Sequence, residues 1–217
     1  MSERKIVTTR RVVTASIIGF AALFSTLPAA AQVKPGDAEL VQALKAGGHV
    51  IVFRHGATFT NQADTDPLHP ANVAKQRQLN EKGVAAAKSF GAALKAMGVP
   101  VGPVWTSEFN RAYQTAVLAG LSKPVKSRDL TEGGLVVSPD ENARRAAAFR
   151  KLAGTLPPIG TNTVIVSHKP NIIDAFGRDW FEVKEGEASI FKPDGSGYKL
   201  VARVQMDEWP RLAAATK

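Results

Sequence analysis

Two short apolar runs constrain this chain more than any other feature. Val50, Ile51, Val52 and Phe53 form the first, in "HVIVFRHG", and Thr163 to Val166 form the core of the second, in "TVIVSHKP". Continuous apolar runs without polar alternation read as strands buried on both faces, the pattern of a parallel sheet covered by helices. Each run stops abruptly at polar chemistry. Arg54, His55 and Gly56 follow the first, and Ser167 and His168 follow the second. Gly56 is read as the residue that lets the chain turn tightly after the strand.

The segments between the runs carry helical periodicity. "DAELVQALKAGG" reads as a short helix with a glycine stop. "NEKGVAAAKSFGAALKAMG" places Ala86, Phe90, Ala93, Leu94 and Met97 on one face. "VGPVWTS" reads as a short strand, and "SEFNRAYQTAVLAG" as a helix with Ser107 as its N-cap and Arg111 about one turn inside. "SPDENARRAAAFRKLAG" carries a capping-box pattern, Ser138 with Glu141, and Pro139 in the first helical position. "ASIFKPDGSGYKLVARVQM" reads as a hairpin around a glycine-rich turn. Strands alternating with long helices predict a three-layer α/β sandwich: a mostly parallel central sheet with helices on both faces.

In such sheets ligands sit beyond the carboxyl ends of the strands. If the two apolar strands are neighbours, Arg54, His55 and His168 face one crevice, and Arg111 enters it from the helix after "VWTS". Taken singly, each has an ordinary structural role open to it: a histidine at a strand end, a helix cap, an arginine on a solvated helix face. Two arginines and two histidines at matching strand ends instead form a cationic pocket suited to phosphate oxygens. An imidazole nitrogen in such a pocket can attack phosphorus and form a covalent intermediate.

These residues carry a resemblance. "RHGATFTN" resembles the R-H-G-x-[ST]-x-x-N signature of the histidine phosphatase superfamily, phosphoglycerate mutase-like branch. "LNEKG", "TSEFNRAYQTA" and "VIVSHKPNI" resemble three further motifs of that family, in the same order, with Asn80 in place of the usual hydroxyl in the second. The similarity runs from about Gly47 to Ile173. It implies a phosphoglycerate mutase-like fold and a single domain over 32–217. It implies His55 as the phosphorylated nucleophile, with Arg54, Arg111 and His168 holding the phosphoryl oxygens. It further implies Asn61 as a phosphate-side donor, Gly56 as the point where the backbone approaches, and Glu132 as the acid that protonates the leaving oxygen. Asp129 competes with Glu132 for that last role, and the glycines Gly133 and Gly134 follow Glu132 where mutase-like members carry a bulkier polar residue. No cofactor and no metal are implied, since the arginines supply the positive charge. The long polar segment "ATFTNQADTDPLHPANVAKQRQ" is read as a wall or lid that shapes substrate choice, with Lys75, Gln76 and Arg77 as candidate contacts. His69 is placed on a loop or the pocket rim. A metal site built from His49, His55, His69 and His168 is disfavoured, because no pair has ligand-like local spacing.

The first 31 residues carry a different pattern. Arg4, Lys5, Arg10 and Arg11 precede an apolar stretch from Val12 to Leu27, and "LPAAAQ" supplies an A-x-A site before Gln32. That is the pattern of a secretory signal, which predicts a periplasmic or secreted address for a bacterial chain and no membrane span after cleavage; the alternative is an uncleaved membrane anchor, for which the apolar run is short. Arg10-Arg11 is also the pair found in twin-arginine export. Cysteine is absent, which excludes disulfides, thiolate nucleophiles and Cys-ligated zinc. The chain is basic, net +9, which suits an anionic substrate. No basic run with interleaved aromatics points to nucleic acid. The expected activity is hydrolysis of a phosphomonoester, small-molecule or glycan, through a phosphohistidine. The alternatives are a phosphomutase of the same family and a phosphoanion-binding protein with little turnover. The acid phosphatase and phytase branch fits poorly, because Thr58 and Lys169 replace its characteristic arginine and aspartate.

Overall fold

The computed structural model describes residues 35–133 and 136–214. The expected leader, 1–31, lies outside them, as does Gly134. Among the described residues there are six α-helices and six strands, besides short 3-10 turns: α1 Asp37–Ala46, β1 Val50–Arg54, α2 Glu81–Met97, β2 Val101–Ser107, α3 Asn110–Leu118, β3 Val125–Ser127, α4 Pro139–Ala153, β4 Asn162–Ser167, α5 Lys169–Phe176, β5 Ala188–Pro193, β6 Tyr198–Val204 and α6 Trp209–Ala214. No helix among the described residues is long and apolar enough to cross a membrane.

The strands form one sheet in the order β3-β2-β4-β1-β5-β6. β3, β2, β4 and β1 run parallel, and the β5–β6 hairpin adds two antiparallel strands at one edge. The two apolar runs are the central pair, β1 and β4. Their side chains alternate between two cores. Ile51, Phe53, Val164 and Val166 face one with α1, α2, α3 and α6. Val50, Val52 and Ile165 face the other, with α4 and α5. Each fully buried aliphatic or aromatic side chain there contributes roughly 1.5–3 kcal/mol. Phe53 stacks on Phe90 at 4.7 Å, and Phe90 meets the edge of Trp209 at 4.8 Å, which ties β1 to α2 and α6.

Local chemistry sets the helix ends. The Asn80 side chain accepts from the Gly83 N–H at 2.9 Å, so an amide does the capping work of the usual hydroxyl at the start of α2. Ser138 caps α4 in the same way at 3.2 Å. The Glu141 carboxylate pairs with Arg144 and Arg145. Ser107 is not the N-cap of α3. It is the last residue of β2, and α3 begins three residues beyond it, after Phe109. Arg111 is consequently the second residue of the helix and not a turn inside it. The N–H of Asn110 is taken by the Gln76 side chain at 2.7 Å, a cap supplied from the long polar loop.

The glycine after β1 also has another reason than a tight turn. Gly56 does not adopt a positive φ. A Cβ on it would lie 3.0 Å from the Gly83 carbonyl oxygen, and a Cβ on Gly83 would lie 2.1 Å from the Ala57 carbonyl oxygen. The segment leaving β1 thus lies against the first turn of α2 with no room for side chains. Gly83→Ala is therefore expected to lower stability by roughly 1–3 kcal/mol or more, read as a drop in the urea midpoint. Gly36→Ala, where a Cβ meets nothing within 4 Å, should move it little. Equal midpoints for the two variants would contradict the close-approach account.

Candidate active site

The β1–β4 pairing places two histidines side by side. The last pair in register is Arg54 with Ser167, and the next residue, His55, donates its backbone N–H to the Ser167 carbonyl at 3.0 Å. His168 follows Ser167 directly. The two rings lie 5.1 Å apart, both buried.

A hydrogen bond assigns the tautomer of His55. His55 Nδ1 lies 2.8 Å from the Gly56 carbonyl oxygen. A carbonyl only accepts, so Nδ1 carries the proton and Nε2 keeps its lone pair. His168 Nε2 lies 2.7 Å from the Ser107 hydroxyl. That hydroxyl also accepts from the Phe109 N–H at 3.0 Å and donates to Thr131 Oγ1 at 3.3 Å. His168 Nδ1 is buried without a hydrogen-bond partner among the described residues, 3.6 Å from Glu132 Oε2. Burial, with Arg111 next in effect, pushes both imidazoles well below their ordinary pKa. Both are neutral at neutral pH, and His55 presents its Nε2 lone pair.

Two arginines close the site. Arg111 is completely buried, with its guanidinium 4.7 Å over the Phe109 ring. It donates to Asp64 Oδ1 at 2.8 Å and to Glu132 Oε2 at 3.0 Å. Arg54 donates to the Val183 carbonyl at 2.7 Å and lies 3.7 Å from Glu185. Nε of each has no partner among the described residues. A tetrahedral oxyanion fits this inventory, because several donors converge while a nucleophilic nitrogen stands among them.

The other candidates divide. Glu132 joins the cluster through Arg111. Asp129 does not, since its carboxylate pairs with Arg144 at 2.6 Å on the exposed side of α4. Asn61 lies exposed in the turn after β1 and makes no hydrogen bond to the two arginines or two histidines. His69 is exposed and pairs with Asp66 at 2.6 Å. His49 precedes β1 at the opposite end of the strand and bonds the Gly47 carbonyl, so the four histidines do not converge. Lys75 is exposed, whereas Gln76 is buried and holds the start of α3. Two acids escaped the sequence reading: Asp64 on Arg111, and Glu185, which accepts from the Thr58 hydroxyl at 2.8 Å. Both lie in segments without periodicity, and nothing local in the sequence marks either one.

The description "Histidine phosphatase superfamily (branch 1)" matches residues 50–135. Among solved structures, the chain is similar to the protein histidine phosphatase SixA complexed with tungstate. Identity is 20%, 74% of this chain and 98% of that one are covered, and the TM-score is 0.51. It is also similar to a mycobacterial glucosyl-3-phosphoglycerate phosphatase complexed with VO3, at 17% identity, 71% and 97% coverage and a TM-score of 0.50. These likenesses show a shared fold. No curated protein matches the sequence.

The buried neutral histidines predict how stability varies with pH. An unfolded histidine titrates near 6.5. His55 and His168 resist protonation in the folded state, with a weaker effect of burial on His49. As pH falls below about 6.5, the unfolded chain binds protons that the folded chain does not, and stability drops until the folded values are reached. Each imidazole contributes a slope of up to about 1.4 kcal/mol per pH unit. The urea midpoint should fall between about pH 7 and pH 5, and His55→Gln should make that fall shallower. A midpoint flat over this range would contradict the assignment.

Proposed function

We propose that this chain, which over residues 50–135 belongs to the histidine phosphatase superfamily, branch 1, hydrolyses phosphomonoesters through a phosphohistidine on His55. The observation that carries the reading is the tautomer of His55. Its Nδ1–H is anchored on the Gly56 carbonyl, which leaves Nε2 bare among buried cationic and N–H donors.

In this reading the Nε2 lone pair attacks phosphorus and the P–O bond to the leaving group breaks. Arg54, Arg111 and His168 hold the non-bridging oxygens, where negative charge accumulates. Protonated Glu132 delivers its proton to the leaving oxygen. Water then attacks the phosphohistidine, Glu132 takes up the water proton, the P–N bond breaks and inorganic phosphate departs. Nothing in the sequence requires a metal or cofactor.

The leaving group has a place to lie. A cavity of ≈ 180 Å³ opens beside Glu132, and its lining includes Pro67, Leu68, Arg128, Val136 and Arg145. The match of this cavity to Glu132 supports the acid role, because a proton donor belongs between the phosphoryl group and its leaving oxygen. The basic and apolar leader with its "LPAAAQ" end supports export. With export, the phosphomonoesters of a bacterial envelope become the substrate class to test first.

The decisive experiment uses p-nitrophenyl phosphate and a simple alkyl phosphate. His55→Ala should reduce both hydrolyses to background and abolish an acid-labile, base-stable phosphoprotein in rapid quench. Glu132→Gln should lower kcat for the alkyl phosphate by about 100-fold or more. It should affect p-nitrophenyl phosphate much less, because that leaving group needs no proton. Full activity in His55→Ala would overturn the mechanism, and equal losses for both substrates in Glu132→Gln would remove the acid from Glu132.

A further inference from the structure

The segment before α2 holds an arginine that the four-residue cluster leaves unused. Asp64 Oδ1 accepts from the Arg111 guanidinium at 2.8 Å and also from the Arg77 backbone N–H at 2.9 Å. One carboxylate oxygen thus ties the Arg77 backbone to the most buried cation of the site. The flanking residues fix the segment further. Gln76 Oε1 accepts from the Asn110 N–H at 2.7 Å, and Gln78 Oε1 accepts from the Asn110 side-chain amide at 2.9 Å. Gln76 also donates to the Pro70 carbonyl at 2.6 Å, and Gln78 to the Val73 carbonyl at 2.8 Å. Thr58 pairs with Leu79 in an isolated antiparallel bridge, and Phe59 donates to the Gln78 carbonyl at 3.2 Å. Both glutamines are committed to the residue next to Arg111, and Arg77 stands between them in the sequence.

The side chain of Arg77 is treated differently. Its Nε is buried and has no partner, and no carboxylate pairs with it among the described residues. Arg54 has Glu185, and Arg111 has Asp64 and Glu132. A half-buried guanidinium within electrostatic reach of Arg54, without a counter-ion of its own, carries an electrostatic and desolvation cost that an anion would relieve.

We propose that Arg77 is a third guanidinium of the phosphoanion site, contacting an oxygen of the phosphoryl group or of bound inorganic phosphate beside Arg54. The assignment rests on the functional reading above and adds to it a residue outside the motifs that carry the family resemblance. It also separates the three candidates of the polar loop. Arg77 binds, Gln76 positions, and Lys75 does neither. The electrostatics agree, since the Arg77 charge helps to depress the pKa of His55, His168 and Arg54. Arg77 therefore serves twice, by drawing in the dianion and by keeping the nucleophile unprotonated.

The test compares wild-type protein with Arg77→Gln, Arg77→Lys and, as an exposed control, Lys75→Gln. Inorganic phosphate and vanadate binding are measured by calorimetry, and kcat/KM for p-nitrophenyl phosphate is measured against pH. Arg77→Gln should weaken anion binding roughly 10–100-fold and move the acidic limb of kcat/KM to higher pH, with an unchanged melting temperature in anion-free buffer. Arg77→Lys should restore the position of the limb and only part of the affinity. Lys75→Gln should match wild type. Wild-type affinity and an unmoved limb in Arg77→Gln would overturn the role of Arg77 alone. A limb that stays in place while the melting temperature and activity fall together would make Arg77 merely structural. A wild type that binds neither anion and hydrolyses nothing would overturn the functional reading itself.

Discussion

The backbone hydrogen bond from His55 to Ser167 is the constraint from which the rest of the site follows. It extends the parallel ladder one residue past the last paired strand positions, and so fixes two consecutive strand exits side by side. Everything that makes His55 distinctive follows from that exit. Its Nδ1 reaches the Gly56 carbonyl, Gly56 donates its N–H to Thr115 on α3 at 3.1 Å, and the chain then slides past Gly83. The neutral tautomer is thereby built into the main-chain path. The apolar strands that carry the exits offset its cost, because burying the β1 and β4 side chains stabilises by more than two buried neutral imidazoles cost.

The charges are arranged by a related logic. Arg111 is buried completely, and a bare buried cation would cost several kcal/mol. Asp64 and Glu132 each take one of its terminal nitrogens. The guanidinium is held over the Phe109 ring and fixed before any anion arrives. In the proposed reaction, an incoming phosphoryl group would exchange partners with carboxylates already in place, with little reorganisation. Glu132 is the carboxylate such an exchange would release toward the leaving-group cavity, which connects the resting arrangement to the acid role proposed for it.

The fold was largely legible because its signals are local. Uninterrupted apolar runs identify β1 and β4 as central, and the helical face of α2 and the cap at Ser138 can be read directly. Adjacency of the strand ends, which brings His55 and His168 together, follows from sheet topology rules. The errors arose where one side chain had two plausible employers. Ser107 looks like an N-cap because it precedes a helix, but its hydroxyl is engaged by His168 and the Phe109 N–H, and a glutamine 34 residues away in sequence caps the helix instead. Gly56 looks like a turn glycine because polar residues follow it, whereas its small size is required by another glycine across the interface. Asp64 and Glu185 were invisible because their roles depend on tertiary partners alone.

The polar loop shows why aperiodic sequence need not mean a loose structure. From Thr58 to Asn80 the backbone forms one short 3-10 turn and one isolated bridge, so regular hydrogen bonding does little to hold it. Side-chain amides do that work. Gln62 accepts from the Gln78 N–H at 2.9 Å, Gln76 and Gln78 bond α3, and Asn80 both caps α2 and donates to the Thr58 carbonyl at 2.9 Å. Amides carry donors and acceptors without charge, so they can tie the loop to the scaffold without altering the electrostatics of the crevice. Of the charged residues of the same segment, Asp64 reaches Arg111, whereas Asp66 pairs with His69 and Lys75 is exposed. Polar composition, which by itself suggests a mobile lid, here builds a segment tied to α2 and α3 through side-chain amides and to Arg111 through Asp64.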